Sequence, residues 1–269
     1  MKYTTKSLLI SIHSILLLFL TTTVNGQVSY SIPGSTFTED FSAGLPTGAD
    51  TPLWSDDDED VLPGWSAYQT AGAGSTPTNY RITSSGSSSE AQLYQYRPSA
   101  GSSDGSFGTR PSGGTGDIIL GVRFTNDTGI SLNSITLGYT GEQWFESEST
   151  QNNQYIVAYQ LGSPLNLTSG TWTTISSLDF NSPQDGGGDT NLDGKASANR
   201  EVIAPVTVSI ADWNDGSDLW VRWFDSNSSG FDQALAIDDV NFTAIPEPST
   251  LLLVIMSFVA AYMFKKRKS

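Results

Sequence analysis

The chain has 269 residues, no cysteine, a single histidine, and 28 acidic against 13 basic residues, for a formal net charge of -15. An acidic excess of this size argues against nucleic acid as a partner, because phosphate binding needs a basic face. The histidine, His13, sits in the N-terminal leader, so the rest of the chain offers no Ser-His-Asp triad, no cysteine nucleophile and no histidine-ligated zinc.

The leader comes first in chain order. Lys2 and Lys6 make a basic start, and "LLISIHSILLLFL" (8–20) is an apolar core of signal-peptide length. Val24, Asn25 and Gly26 put small or modest residues where a peptidase would cut, which assigns 1–26 to a signal peptide and leaves Gln27 as the new N-terminus. The other reading is an uncleaved anchor, for which the apolar core is short.

Residues 27–244 are the expected ectodomain. Leaving out Glu247 and the six basic residues near the two ends, they carry 27 acidic and seven basic residues, a net charge of -20. Such a charge favours solubility and attracts cations. The segment is rich in Gly, Ser, Thr and Asn, has no apolar stripe of helical period, and suits one all-β domain. "SDDDED" (55–60) reads as an exposed loop, since like charges repel in a strand. "LPGWSAYQT", "YRIT" and "AQLYQYR" read as short strands joined by long Gly/Ser loops.

From residue 117 onward the strand pattern is clearer. "DIILGVRFTND" puts Leu120, Val122 and Phe124 on one face, and "SITLGYT" does the same with Ile135, Leu137 and Tyr139. "QYIVAYQLG", "TWTTISSLDF", "VIAPVTVSI", "DLWVRWFDS" and "LAIDDVNFTA" follow, separated by Gly, Asn, Asp and Pro. Many short strands with this punctuation predict a single β-sandwich of jelly-roll type, each sheet turning one face to the core.

Without histidine or cysteine, carboxylates carry the available chemistry. A two-carboxylate glycosidase is one option, but acidic residues are too numerous for the sequence to pick a pair. Calcium, which takes six to eight oxygen ligands, is the other. If the first and last strands are neighbours, Glu39 and Asp40 of "FTEDF" meet Asp238 and Asp239 of "AIDDV", and four carboxylates there repel unless a cation lies between them. With Val240 and Phe242 facing the core, Asp238 shares their side by period two, and Asp239 points away unless a bulge intervenes. Solvated strand-end aspartates are the competing reading. A second place is "DTNLDGKASANRE": Asp189, Asn191, Asp193 and Gly194 match the start of a calcium loop, but Arg200 stands where a closing Glu is wanted. An ordinary Asx-turn explains the same residues.

Trp172, Trp220 and Trp223 lie in strand-like runs and read as core or semi-core. Trp65, Tyr68, Tyr94, Tyr96 and Trp144 lie in polar, loop-rich contexts, where exposed rings beside polar groups suit a glycan surface. The alternative is that they cap the ends of the core.

Together "AQLYQYR", "GVRFTNDTG", "GYTGEQW", "TWTTISSLDF", "DLWVRWFDS" and "LAIDDV" resemble a recurrent jelly-roll-like region of bacterial exported surface proteins, over most of residues 37–244. That resemblance implies architecture rather than activity.

The C-terminal segment, 245–269, is the most specific motif. "PEPST" leads into a 16-residue apolar stretch (249–264), then Lys265, Lys266, Arg267 and Lys268. The stretch is short for a transmembrane helix, and the basic cluster stops transfer and stays cytoplasmic. Pro246 and Pro248 resist regular structure and keep Glu247 accessible. This arrangement resembles the PEP-CTERM sorting signal, with Pro246, Glu247 and Pro248 on its motif, 251–264 on its helix and 265–268 on its basic end, although Lys dominates where the family is Arg-rich. The family implies a Gram-negative, exopolysaccharide-producing host. It also implies an exosortase as partner, transient anchoring in the inner membrane, and delivery to the cell surface or extracellular matrix. The function expected from all of this is a non-catalytic surface or exopolysaccharide-matrix protein that binds glycan and is stabilised by calcium, with an extracellular carboxylate hydrolase as the alternative.

Overall fold

The computed structural model describes residues 26–42, 51–56, 62–84, 92–99, 102–148, 153–230 and 232–247. The expected signal peptide up to residue 25, Pro248, the apolar stretch 249–264 and the basic end 265–268 lie outside the described residues. Among the described residues no helix is long and apolar enough to cross a membrane.

Fifteen strands are described: β1 (Val28–Tyr30), β2 (Thr36–Glu39), β3 (Trp65–Gln69), β4 (Tyr80–Thr83), β5 (Gln92–Tyr96), β6 (Ser106–Arg110), β7 (Ile118–Asn126), β8 (Leu132–Glu146), β9 (Gln154–Leu161), β10 (Thr173–Thr174), β11 (Phe180–Asn181), β12 (Thr190–Asn191), β13 (Arg200–Trp213), β14 (Asp218–Asp225) and β15 (Ala234–Ile245). They form two sheets. One runs β1-β7-β14-β9-β10, with β3 also on β7 and β11 also on β9. The other runs β12-β8-β15-β6-β5-β4, with β13 also on β8 and β2 also on β15.

Alternation decides what lies between the sheets. Leu120, Val122 and Phe124 of β7 and Leu219, Val221 and Trp223 of β14 face Ile135, Leu137 and Tyr139 of β8 and Val240 and Phe242 of β15 in one buried core. Aromatic rings fasten the layers: Phe124 stacks on Phe242 at 4.1 Å and 10°, and Tyr139 meets Trp223 edge-on at 5.7 Å. The strands expected in "LPGWSAYQT", "YRIT" and "AQLYQYR" are β3, β4 and β5.

"TWTTISSLDF" departs from expectation. It is not one strand but β10, a single 3-10 turn (Ser176–Leu178) and β11. Its buried residues are Ile175, Leu178 and Phe180, a spacing that period two cannot present to one core. "VIAPVTVSI" becomes part of β13, which among the described strands pairs with β8 alone. Its register shifts between Ile203 and Val206, around Pro205, as a proline in a strand requires.

Candidate functional site

The second and last strands are neighbours, while β1 lies on β7 in the other sheet. β2 runs antiparallel to β15, with Glu39 opposite Val240. Glu39, Asp40 and Asp239 border one shallow cleft of about 530 Å3, beside Thr38 and Asn241. Burial pushes the Glu39 carboxyl up, against the pull of the Phe41 N–H that it accepts at 2.9 Å, and Asp40 pushes it further up. Thus three of the four carboxylates expected to meet here do so.

Asp238 does not join them, because a bulge interrupts β15. Asp238 lies opposite Thr140 and Asn241 opposite Gly138, so Asp239 and Val240 share the place facing Tyr139. Asp239 absorbs the extra residue with a φ of 49°. Val240 returns to the core side, whereas Asp238 stays on the outer face with Ala236. The expectation that Asp238 shares the side of Val240 therefore fails at the bulge.

On that outer face Asp238 meets Lys195. Its Nζ lies 2.5 Å from Asp238 Oδ2, 3.3 Å from Glu142 Oε1 and 3.0 Å from Asp104 Oδ1. Glu142 is fully buried, and its Oε2 accepts the Trp144 indole N–H at 2.9 Å. Desolvation pushes the Asp238 carboxyl up to about 7 despite Lys195, with Glu142 and Asp239 adding to the rise. Desolvation also raises Glu142, again against Lys195. Burial alone would lower Lys195, but Glu142 and Asp238 more than offset it and hold the ammonium above its ordinary range.

The loop read as a calcium-loop start delivers this lysine. Asp193 Oδ1 accepts the Lys195 N–H at 3.1 Å, an Asx-turn. Asn191 lies in β12 opposite Phe145, and Asp189 holds a φ of 42°. Gly194 sits against the Trp144 ring so closely that a Cβ there would lie 2.4 Å from the indole. The cation neutralising Asp238 is thus a side chain from the second acidic stretch. Among the described residues, no three His, Cys, Asp or Glu side chains are grouped to hold a metal.

The aromatic expectation is overturned at four of five positions. Trp65, Tyr94, Tyr96 and Trp144 are 0 % exposed and offer no face to a ligand. Trp65 stacks on Trp223 inside the core at 5.6 Å. Tyr94, Tyr96 and Trp144 form a stacked ladder on the outer face of the second sheet, with spacings of 5.0 and 5.1 Å. Trp144 packs against the Gly194 turn, so this sheet is buried there on both faces.

Tyr68 is the exception. In β3, Trp65 and Ala67 enter the core and Ser66 and Tyr68 turn outward. In β14, Trp220, Arg222 and Phe224 turn outward while Leu219, Val221 and Trp223 turn inward. Trp220 is buried, as its place in a strand-like run predicts, but on this outer face, where it packs with Ile119 and Leu167. The strict alternation of "DLWVRWF", with Arg222 between two aromatics, marks the outward face.

Between Tyr68 and Trp220 lies a cleft of about 340 Å3, bordered also by Asp56, Thr76, Arg123 and Asn166. Leu165 stands at its edge, 96 % exposed. One wall is the loop after β9. Asn166 Oδ1 holds it by accepting the Thr168 and Ser169 N–H groups at 2.9 Å each. Arg222 Nη1 donates to the Leu167 carbonyl, and its guanidinium lies 4.2 Å from the Trp172 ring. Burial lowers the Arg222 pKa to about 10. The opposite wall is fixed by Asp56, which accepts from Trp54 Nε1, the Ala67 N–H and the Thr76 hydroxyl at 2.8–2.9 Å. Arg123 is held by Asp218 at 3.2 Å and by Gln27 at 3.0 Å. Trp220 is 8 % exposed, and its indole N–H has no hydrogen-bond partner among the described residues.

No protein-family model matches the chain, and no curated protein matches it. Solved structures do resemble it. A bacteriophage CBA120 tailspike enzymatic domain is 11% identical with a TM-score of 0.36, over 68% of this chain, which spans only 19% of that one. The K2 cleaved adhesin domain of Lys-gingipain is 14% identical with a TM-score of 0.38, over 78% of this chain and 99% of that domain. A xylan-binding module, CBM15, is 13% identical with a TM-score of 0.35, over 80% and 99% of the two chains. Likenesses this distant assign no ligand.

Proposed function

We propose that the chain is an exported, non-catalytic surface or exopolysaccharide-matrix protein that holds a polysaccharide in the Tyr68–Trp220 cleft. One observation carries the reading: the cleft sets the outward Tyr68 and Trp220 side chains beside the polar groups of Asp56, Thr76, Arg123 and Asn166. A ring there can meet the C–H face of a sugar while the polar groups bond its hydroxyls. The walls are pinned by Asp56 and Arg222, so little ordering cost falls on binding.

The test is saturable binding of the purified full-length protein to the host exopolysaccharide, with released sugar monitored in parallel. Tyr68→Ala removes the more open ring of the cleft and should weaken binding about two- to tenfold. Unchanged affinity would sink the cleft as the site. Released sugar would move the reading to a carboxylate hydrolase.

Export and sorting complete the proposal. β15 ends at Ile245, one residue before Pro246, so the sorting motif would follow the domain with almost no linker. An exosortase would read Pro246, Glu247 and Pro248 and remove the basic tail. Changing all three to Ala should leave "KKRK" on the mature protein by intact mass. If the unaltered protein also keeps that end, the segment is a plain anchor.

A further inference from the structure

The connection from β14 to β15 buries oxygens that neither the cleft nor the Lys195 cluster uses. Asp225 ends β14 with its carboxylate between the sheets, 0 % exposed, and Asp232 is 1 % exposed. One oxygen of each is satisfied. Asp225 Oδ2 accepts the Thr109 hydroxyl at 2.5 Å. Asp232 Oδ1 accepts the Ser228 N–H at 2.9 Å and the Asn153 amide at 3.0 Å. The other oxygens, Asp225 Oδ1 and Asp232 Oδ2, are buried without a partner among the described residues, and so is Asn227 Oδ1.

These three atoms are all acceptors. A proton on Asp225 would pair it with one of the other two and leave the third unmatched, and one water has two hydrogens for three oxygens. A cation satisfies all of them at once. We propose that Asp225, Asn227 and Asp232 form a calcium site that ties the β14–β15 connection to the end of the sandwich.

One cation stands beside the site: Arg110 Nε donates to the Asp232 carbonyl at 3.1 Å, its guanidinium lies 4.1 Å from the Phe145 ring, and its charge pulls the Asp232 carboxyl down against the rise that burial causes. Asp117 adds negative charge nearby, while its own oxygens accept from the Asn227 N–H and the Thr70 hydroxyl. Burial pushes the bare Asp225 carboxyl well up, and Asp232 and Asp117 add to the rise. The donors are oxygen only, which selects a hard cation, and backbone carbonyls and water would complete its six to eight ligands. Two carboxylates make a weak site, in the roughly 0.1–1 mM range of extracellular modules.

The test is thermal unfolding of the full-length chain after chelator treatment, with and without 10 mM calcium (roughly 10–100 times the expected dissociation constant). The expected shift is about 3–10 °C upward. Asp225→Asn should abolish it. Asn227→Ala, a milder change should the first variant fail to fold, should raise the half-saturating calcium about tenfold. Asp239→Asn, at the separate edge cleft, should keep the full shift. No calcium response in the unaltered chain overturns the proposal. So does a response that survives Asn227→Ala unchanged but disappears in Asp239→Asn.

Discussion

Lys195→Met should destabilise the protein by about 3–5 kcal/mol at pH 8, because it removes one partner of a buried ion cluster and leaves the others uncompensated. Asp104, Glu142 and Asp238 all lie within 3.3 Å of its Nζ. The loss should shrink in acid. Asp238 is raised to about 7 in the fold, so folding favours its protonated form. Its contribution to stability is fully present below the unfolded pKa near 4 and is lost as pH rises through about 7. The unaltered protein should therefore gain stability from this group between pH 8 and pH 5. Without Lys195 the cause that lowers Asp238 is gone, its pKa climbs further, and the gain on acidification becomes larger. Denaturant unfolding of both proteins at pH 8 and pH 5 reads the difference directly. An equal gap at the two pH values would mean that Lys195 compensates no buried charge.

Phe242→Ala should cost about 3–5 kcal/mol, the range for emptying a large aromatic site in a packed core. Phe242 meets three rings. It stacks on Phe124 at 4.1 Å and meets Tyr30 and Trp213 edge-on at 5.7 and 6.3 Å. Phe124 belongs to β7 of the other sheet, so the cavity would open where the two sheets are fastened. For a domain of this size the loss corresponds to a fall in melting temperature of roughly 6–20 °C. Phe242→Leu keeps most of the volume and should cost less than about 2 kcal/mol. A fall of only a degree or two for the alanine variant would show that the layers are not joined through this ring.

The sequence by itself determined the fold class, and did so through local pattern. Period two in "DIILGVRFTND" and "SITLGYT" placed Leu120, Val122, Phe124, Ile135, Leu137 and Tyr139 on the core side, because a strand can bury only one such face at a time. That the two acidic ends of the domain meet was legible only as a condition on strand order; the pairing of β2, not β1, with β15 meets it.

Only the tertiary structure decided which polar groups meet. One extra residue at Asp239 turned Asp238 to the opposite face of its sheet, and a bulge leaves no mark in composition. Lys195 was invisible as a partner because it arrives from a loop 43 residues away in the chain. Trp65, Tyr94, Tyr96 and Trp144 looked exposed because their neighbours in sequence are polar, yet burial is set by what packs across a sheet and above it. For the same reason the cleft wall at Trp220, and the acceptors of Asp225, Asn227 and Asp232, came into view only when strands distant in sequence stood side by side.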